Sequence, residues 1–185
     1  MKQRSMTIAL LAAVLVMTTL LGCAPPPAMN PGPTPTQRPV VELATTTPLS
    51  PDRIAATSFI DADRGWAVGE VADGGGSLVQ RTTDGGRTWE VLYADGAGFP
   101  LQDVVFIDAL HGWAVSSSGT LVGSIIATRD GGRTWVEQFG AGPMESVDFT
   151  DSLHGTVEGW DGDSPQRPIT LTTSDGGKTW GTRRS

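Results

Sequence analysis

Three carboxylates stand at the same place in three near-identical octets. Thr82-Thr83-Asp84-Gly85-Gly86-Arg87-Thr88-Trp89 recurs as Thr128-Arg129-Asp130-Gly131-Gly132-Arg133-Thr134-Trp135 and as Thr173-Ser174-Asp175-Gly176-Gly177-Lys178-Thr179-Trp180. Asp84, Asp130 and Asp175 are 46 and 45 residues apart. An Asp beside a Gly-Gly pair can accept hydrogen bonds from the backbone N–H groups of its own turn. Gly86, Gly132 and Gly177 can take a positive φ without steric penalty. The hydroxyls of Thr82, Thr128 and Thr173, and of Thr88, Thr134 and Thr179, can bond back to the turn. Trp89, Trp135 and Trp180 are expected to start the next strand, bury their rings between sheets and find an acceptor for the indole N–H. This chemistry builds rigid hairpins; it does not make or break bonds.

The remaining reactive side chains are few. One Cys gives neither a disulfide framework nor a Cys-cluster metal site, and two His cannot make a three-His zinc site. Asp161-Gly162-Asp163 has the look of a calcium loop, but no full EF-hand pattern follows it. No metal or cofactor is therefore expected. With 13 Lys+Arg against 20 Asp+Glu, the net charge of −7 argues against sequence-independent nucleic-acid binding.

The elements that position the octets are short strands. A second signature precedes each octet: Phe59-Ile60-Asp61 with Arg64-Gly65-Trp66-Ala67-Val68, then Phe106-Ile107-Asp108 with His111-Gly112-Trp113-Ala114-Val115. The third copy, Phe149-Thr150-Asp151 with His154-Gly155-Thr156-Val157, has lost the Trp. Each unit reads as four strands, A to D, at residues 54–60, 65–71, 77–83 and 88–93 in the first, separated by Asp, Gly and Ser turns. Four antiparallel strands in about 45 residues is the size of a β-propeller blade. The expected fold is all-β, with three blades at about 52–95, 96–140 and 141–185.

The first 51 residues have another character. Two positive charges precede an apolar run at 8–21, the plan of an export signal. The run ends Leu20-Leu21-Gly22-Cys23, which resembles the bacterial lipobox. Cleavage after residue 22 would leave Cys23 for acylation and place the chain on the extracytoplasmic face of a cell membrane, held by its lipid. Nine of the 13 prolines fall between Pro25 and Pro51, so 23–51 reads as an extended tether.

The octet resembles the Asp-box, or BNR repeat, Ser/Thr-x-Asp-x-Gly-x-Thr-Trp. It is found in sialidases, sortilin-type receptors, xyloglucan-degrading glycosidases and the photosystem II assembly and stability factors. The Phe-x-Asp…Gly-Trp-Ala-Val element is most similar to the last group, including its relatives in non-photosynthetic bacteria. The resemblance covers about 52–185. It implies a propeller, and for function a non-catalytic, membrane-tethered scaffold that holds an envelope or membrane protein. Two other readings stay open. A carbohydrate- or cell-wall-binding module would stack sugars on Trp160 and Phe99. A sialidase-like glycosidase would need a Tyr nucleophile and an Arg cluster, but there is one Tyr, Tyr93, and Arg53-Ile54-Ala55 lacks the Pro of the sialidase element.

Members of that family usually close a ring of about seven blades. Three blades leave open a ring completed by a second copy, a fragment, or a stable open arc. The A–B and C–D turns share one rim, and the near-identical octets mark it as scaffold, with Arg64, His111 and His154 at equivalent A–B positions. The other rim, formed by loops 72–76, 94–101, 116–120, 139–145 and 159–167, differs between units. Its candidate binding residues are Asp73, Asp95, Phe99, Asp103, Glu145, Trp160, Asp161, Asp163 and Arg167.

Overall fold

A computed structural model describes residues 36–37, 48–71, 76–95, 98–119, 122–162 and 167–183. The leader at 1–22, Cys23, Asp73, Asp163 and most of the tether lie outside the described residues.

The strands run in chain order β1 (Thr36–Gln37), β2 (Ile54–Phe59), β3 (Gly65–Glu70), β4 (Ser77–Thr82), β5 (Glu90–Asp95), β6 (Leu101–Phe106), β7 (Gly112–Ser117), β8 (Gly123–Thr128), β9 (Val136–Ala141), β10 (Met144–Phe149), β11 (Gly155–Trp160), β12 (Pro168–Thr173) and β13 (Gly181–Arg183). They form three antiparallel sheets, β2-β3-β4-β5, β6-β7-β8-β9 and β10-β11-β12-β13. These are the three blades of a partial β-propeller.

Two features of the expected tether belong to the folded part. Thr36 and Gln37 pair with Glu137 and Val136, adding a fifth strand to the outer edge of the second blade. Leu49 is 9% exposed and packs with Leu78 and Ala94. Its N–H donates to Gln80 Oε1 at 2.8 Å. A lone Leu among prolines carries no periodic signal in the sequence, so its packing against the first blade was not visible there.

The cores lie between blades. Trp66, Val68, Val79 and Tyr93 of the first meet Leu101, Val104, Phe106 and Ile126 of the second. Trp113, Val115 and Ile125 of the second meet Met144, Val147, Phe149 and Leu171 of the third. At the centre of each core an indole is clamped. Trp66, 1% exposed, stacks on Phe106 with centroids 3.9 Å apart and planes 6° from parallel. Its Nε1–H donates to the Gly131 carbonyl in the second blade's octet at 2.9 Å. Trp113 repeats this on Phe149, at 3.6 Å and 8°, with Nε1–H directed at the Gly176 carbonyl at 3.4 Å. Trp135 and Trp180 stand edge-on to the two Phe rings at 6.1 and 6.0 Å. Each Phe lies flat over a glycine of the neighbouring strand; a Cβ at Gly112 would sit 2.6 Å from the Phe106 ring. Two further bonds cross the joints, Phe106 N–H to Ser58 Oγ at 2.9 Å and Val147 N–H to Asp103 Oδ2 at 2.9 Å.

The octets fold as hydrogen-bonded turns. Thr82 Oγ1–H donates to Asp84 Oδ1 at 2.8 Å and its oxygen accepts the Gly86 N–H at 2.8 Å. Asp84 in turn accepts the Thr88 N–H at 2.9 Å and the Thr88 hydroxyl at 2.6 Å. The same bonds recur around Asp130 and Asp175. Gly86, Gly132 and Gly177 take φ values of +87°, +94° and +83°. Because the carboxylate grips Thr88, the turn runs one residue past it and the ladder begins after the Trp. Trp89, Trp135 and Trp180 therefore close their turns and do not open strands. Trp135 Nε1–H bonds its own turn at the Gly132 carbonyl, 3.0 Å away. The buried Trp180 Nε1 has no partner among the described residues.

The A–B turns carry a second set of carboxylates that the sequence reading passed over. Asp61, Asp108 and Asp151 each accept two backbone N–H groups within 2.7–2.9 Å. Arg64 Nε–H donates to Asp61 at 2.7 Å, and His111 and His154 place Nδ1 2.9 Å from their aspartates. These three side chains clip their own turns. Each A–B turn also accepts an octet N–H: Gly85 to Asp63, Gly131 to Leu110 and Gly176 to Leu153, at 2.9–3.0 Å. Asp84 is held at about 2, chiefly by the Thr88 hydroxyl, and Asp151 at about 2, chiefly by the His154 ring.

Two outcomes are expected. Trp66→Ala should cost on the order of 3–5 kcal/mol, whereas Phe59→Ala, at a ring 46% exposed, should cost about 1 kcal/mol or less; urea unfolding compares them. Carboxylates with lowered native pKa stabilise the fold above their unfolded value of about 3.9. That contribution is lost as the pH falls from there through about 2. The melting temperature should therefore fall below about pH 4, and fall less in the Asp84→Asn, Asp151→Asn double variant.

Candidate functional site

The octet and A–B turns of neighbouring blades face each other across each joint. Between the second and third blades they leave a cleft. One lobe, of about 370 Å³, is lined by Ala127, Arg129, Val136, Gln138 and Lys178. A second lobe, of about 200 Å³, shares Ala127, Arg129 and Lys178 and adds His111, Trp113 and Leu153. The larger lobe is mainly apolar and the smaller one mainly polar, and Arg129 and Lys178 line both. Arg129 occupies the octet position filled by Thr83 and Ser174 in the other copies. Gln138 forms one wall: its Nε2–H donates to the Gly176 carbonyl at 2.8 Å, while its buried Oε1 has no partner among the described residues.

Asp130 and Asp175 also line the cleft. Burial pushes both carboxyls up, but the threonine hydroxyls and N–H groups of their own turns outweigh it, so both end below the ordinary value. Their oxygens are thereby committed to the turns. Among the described residues, neither Arg129 nor Lys178 makes an ion pair. What the cleft offers is an apolar lobe flanked by two cations that make no ion pair among the described residues.

The opposite rim brings together part of the expected set. Glu145 Oε1 accepts the Trp160 Nε1–H at 2.8 Å, and Asp161 Oδ1 accepts the Arg167 N–H at 2.8 Å while its own N–H bonds the Arg167 carbonyl at 2.9 Å. These four residues sit at one end of the third blade, engaged with one another. Asp95 and Phe99 lie apart, at the boundary of the first two blades. Asp95 accepts the Tyr93 hydroxyl at 3.3 Å, and the Phe99 carbonyl accepts the Ser77 hydroxyl at 2.6 Å. Asp103 is drawn inward, one oxygen on Val104 N–H at 2.8 Å and the other on Val147 N–H of the third blade. It acts as a tie between blades. A cavity of about 410 Å³ opens near this rim between the first two blades, lined by Arg53, Ile54, Glu70, Pro100, Leu101 and Gln102 among the described residues, and includes none of the seven expected residues that are described. Tyr93, the sole tyrosine, is 2% exposed in the first core. Among the described residues no cluster of His, Cys, Asp and Glu is placed to hold a metal ion.

Arg129 and Lys178 escaped the sequence reading because they are embedded in the octets, where the repeat itself argues for scaffold. The available signal was the replacement of a hydroxyl by a guanidinium at one octet position in three.

No family model and no curated protein matches the chain. Solved structures that resemble it include two of the same name. One, "YCF48 bound to D1 peptide", is 24% identical over 80% of this chain and 43% of its own, with a TM-score of 0.55. The other, YCF48 from Cyanidioschyzon merolae, is 21% identical over 80% of this chain and 39% of its own, with a TM-score of 0.49. The chain thus spans less than half the length of either. The first likeness shows the fold, that of β-propeller blades.

Proposed function

We propose that this chain is a non-catalytic binding module that holds a segment of a partner protein, in the manner of an assembly factor. The observation that carries the reading is the cleft between the second and third blades, with its apolar larger lobe and two cations that make no ion pair among the described residues. An apolar side chain seats on Ala127 and Val136, and an adjacent carboxylate, from an acidic residue or a chain terminus, meets Arg129 and Lys178. Small apolar pockets with a few convergent polar groups are the usual form of such sites. A propeller of the same fold has been solved with a peptide bound, and the Phe-x-Asp…Gly-Trp-Ala-Val element resembles the photosystem II assembly factors. The leader and Cys23 support presentation of the module from the outer face of a cell membrane, with the proline-rich segment as spacer.

Random peptides displayed on phage and selected on the wild-type protein test the site. The selected peptides should pair an apolar residue with a carboxylate. A charge-assisted hydrogen bond contributes about 1.5–3 kcal/mol, so Arg129→Ala and Lys178→Ala should each weaken binding about tenfold or more. Glu145→Ala should leave it unchanged. Peptides that bind Arg129→Ala and Lys178→Ala as tightly as wild type would place binding elsewhere. For the anchor, labelled palmitate should enter the wild-type chain in a bacterial host and be absent from Cys23→Ser, which should also leave the membrane fraction.

A further inference from the structure

The two blade joints are copies of one device, and its receiving half is present a third time without its plug. In the filled copies the indoles of Trp66 and Trp113 lie flat on Phe106 and Phe149 and point Nε1–H at the carbonyls of Gly131 and Gly176. The first blade keeps every part of that receptor. Phe59 covers Gly65, Trp89 stands edge-on at 6.3 Å, and Gly85 holds the turn position of Gly131 and Gly176. Gly131 and Gly176 are buried beneath their plugs, whereas Phe59 and Gly85 are exposed.

The rest of that face has been altered. Thr57 stands where Val104 and Val147 are buried in the joints, and Gln80 where Ile126 and Leu171 are, with Gln80 tied down by the Leu49 N–H. Leu49 and its neighbours already cover the end remote from the octet. The face is thus closed to a whole blade and open over one aromatic step. The far face of the third blade lacks the matching plug. Thr156 replaces Trp66 and Trp113, Glu158 replaces Val68 and Val115, and Thr170 replaces Val79 and Ile125. A second copy therefore brings no indole at the equivalent position. Residues 1–50 contain no aromatic side chain at all.

We infer that the Phe59–Gly65–Trp89 step, with the Gly85 carbonyl, is a docking site for a tryptophan side chain of a partner protein, and that a second copy of this chain does not fill it. Stacking on Phe59 and one N–H···O bond define the recognition. In both filled copies the indole comes from a Gly-Trp-Ala-Val strand, whose small flanking residues let the backbone approach. This site is separate from the cleft between the second and third blades and does not rest on it.

The probe is a capped peptide with the sequence of residues 111–117, His-Gly-Trp-Ala-Val-Ser-Ser, titrated to millimolar concentration into 15N-labelled protein. Amide shifts should move at Phe59, Gly65 and Gly85. Binding should weaken about tenfold or more in Phe59→Ala, whose remaining spectrum should match wild type. A peptide with Thr in place of Trp should be silent. Absent shifts, shifts elsewhere, or binding that survives Phe59→Ala or the Thr peptide would overturn the inference. Sedimentation equilibrium of the wild type should give a monomer; self-association abolished by Phe59→Ala would make a second copy the occupant and overturn it as well.

Discussion

An indole laid flat on the next blade's phenylalanine, with its N–H aimed at a turn carbonyl, is the constraint on which the partial propeller depends. An open four-stranded sheet has two edges and two broad faces, and nothing in a single blade covers both faces. Trp66 and Trp113 solve this by reaching out of their own sheets into the neighbour. Ring stacking sets the separation of the sheets, and the N–H···O bond sets the angle at which one blade meets the next. Without the glycine under each phenylalanine the ring could not lie flat, so the Phe-x-Asp…Gly-Trp pattern is one mechanical unit divided between consecutive blades.

The octet turns serve that joint. A carbonyl on a loose loop would be a poor acceptor for a buried donor. Here the threonine hydroxyls and the aspartate fix the turn from inside, and the A–B turn fixes it from the side through the Gly131 and Gly176 N–H groups. The acceptor is therefore in place before the indole arrives, and closing a blade onto its neighbour orders few additional groups. The same rigidity explains the cleft. Two fixed turns face each other across the second joint, and Arg129 and Lys178 project from turns whose carboxylates are already satisfied.

Most of the architecture was legible because repetition exposes it. Three octets in register gave the blade count, and strands 54–60, 65–71 and 77–83 match the observed ones to within a residue. The fourth strand was read too early because Trp89 looks like a strand residue while the grip of Asp84 on Thr88 keeps it in the turn. The joints were only half visible. Trp66 and Phe106 are 40 residues apart, and periodicity reports which residues are buried, not which partner they meet. Asp103 shows the same limit: an acidic residue at the start of a strand reads as rim, yet its bond to Val147 ties two blades. Leu49 was hidden in a proline-rich segment, and Arg129 inside a motif whose regularity argued against function.

If the blades are joined in this way, the two indole N–H groups at the joints are shielded by the neighbouring blade. Amide and indole hydrogen exchange in protein labelled with 15N-tryptophan reads this directly, because each of the six tryptophans gives one indole signal. The Trp66 and Trp113 signals should outlast that of Trp160, whose N–H bonds Glu145 at an exposed rim, and should exchange only when blades part. Exchange of Trp66 and Trp113 as fast as Trp160 would mean that the blades are not joined this way.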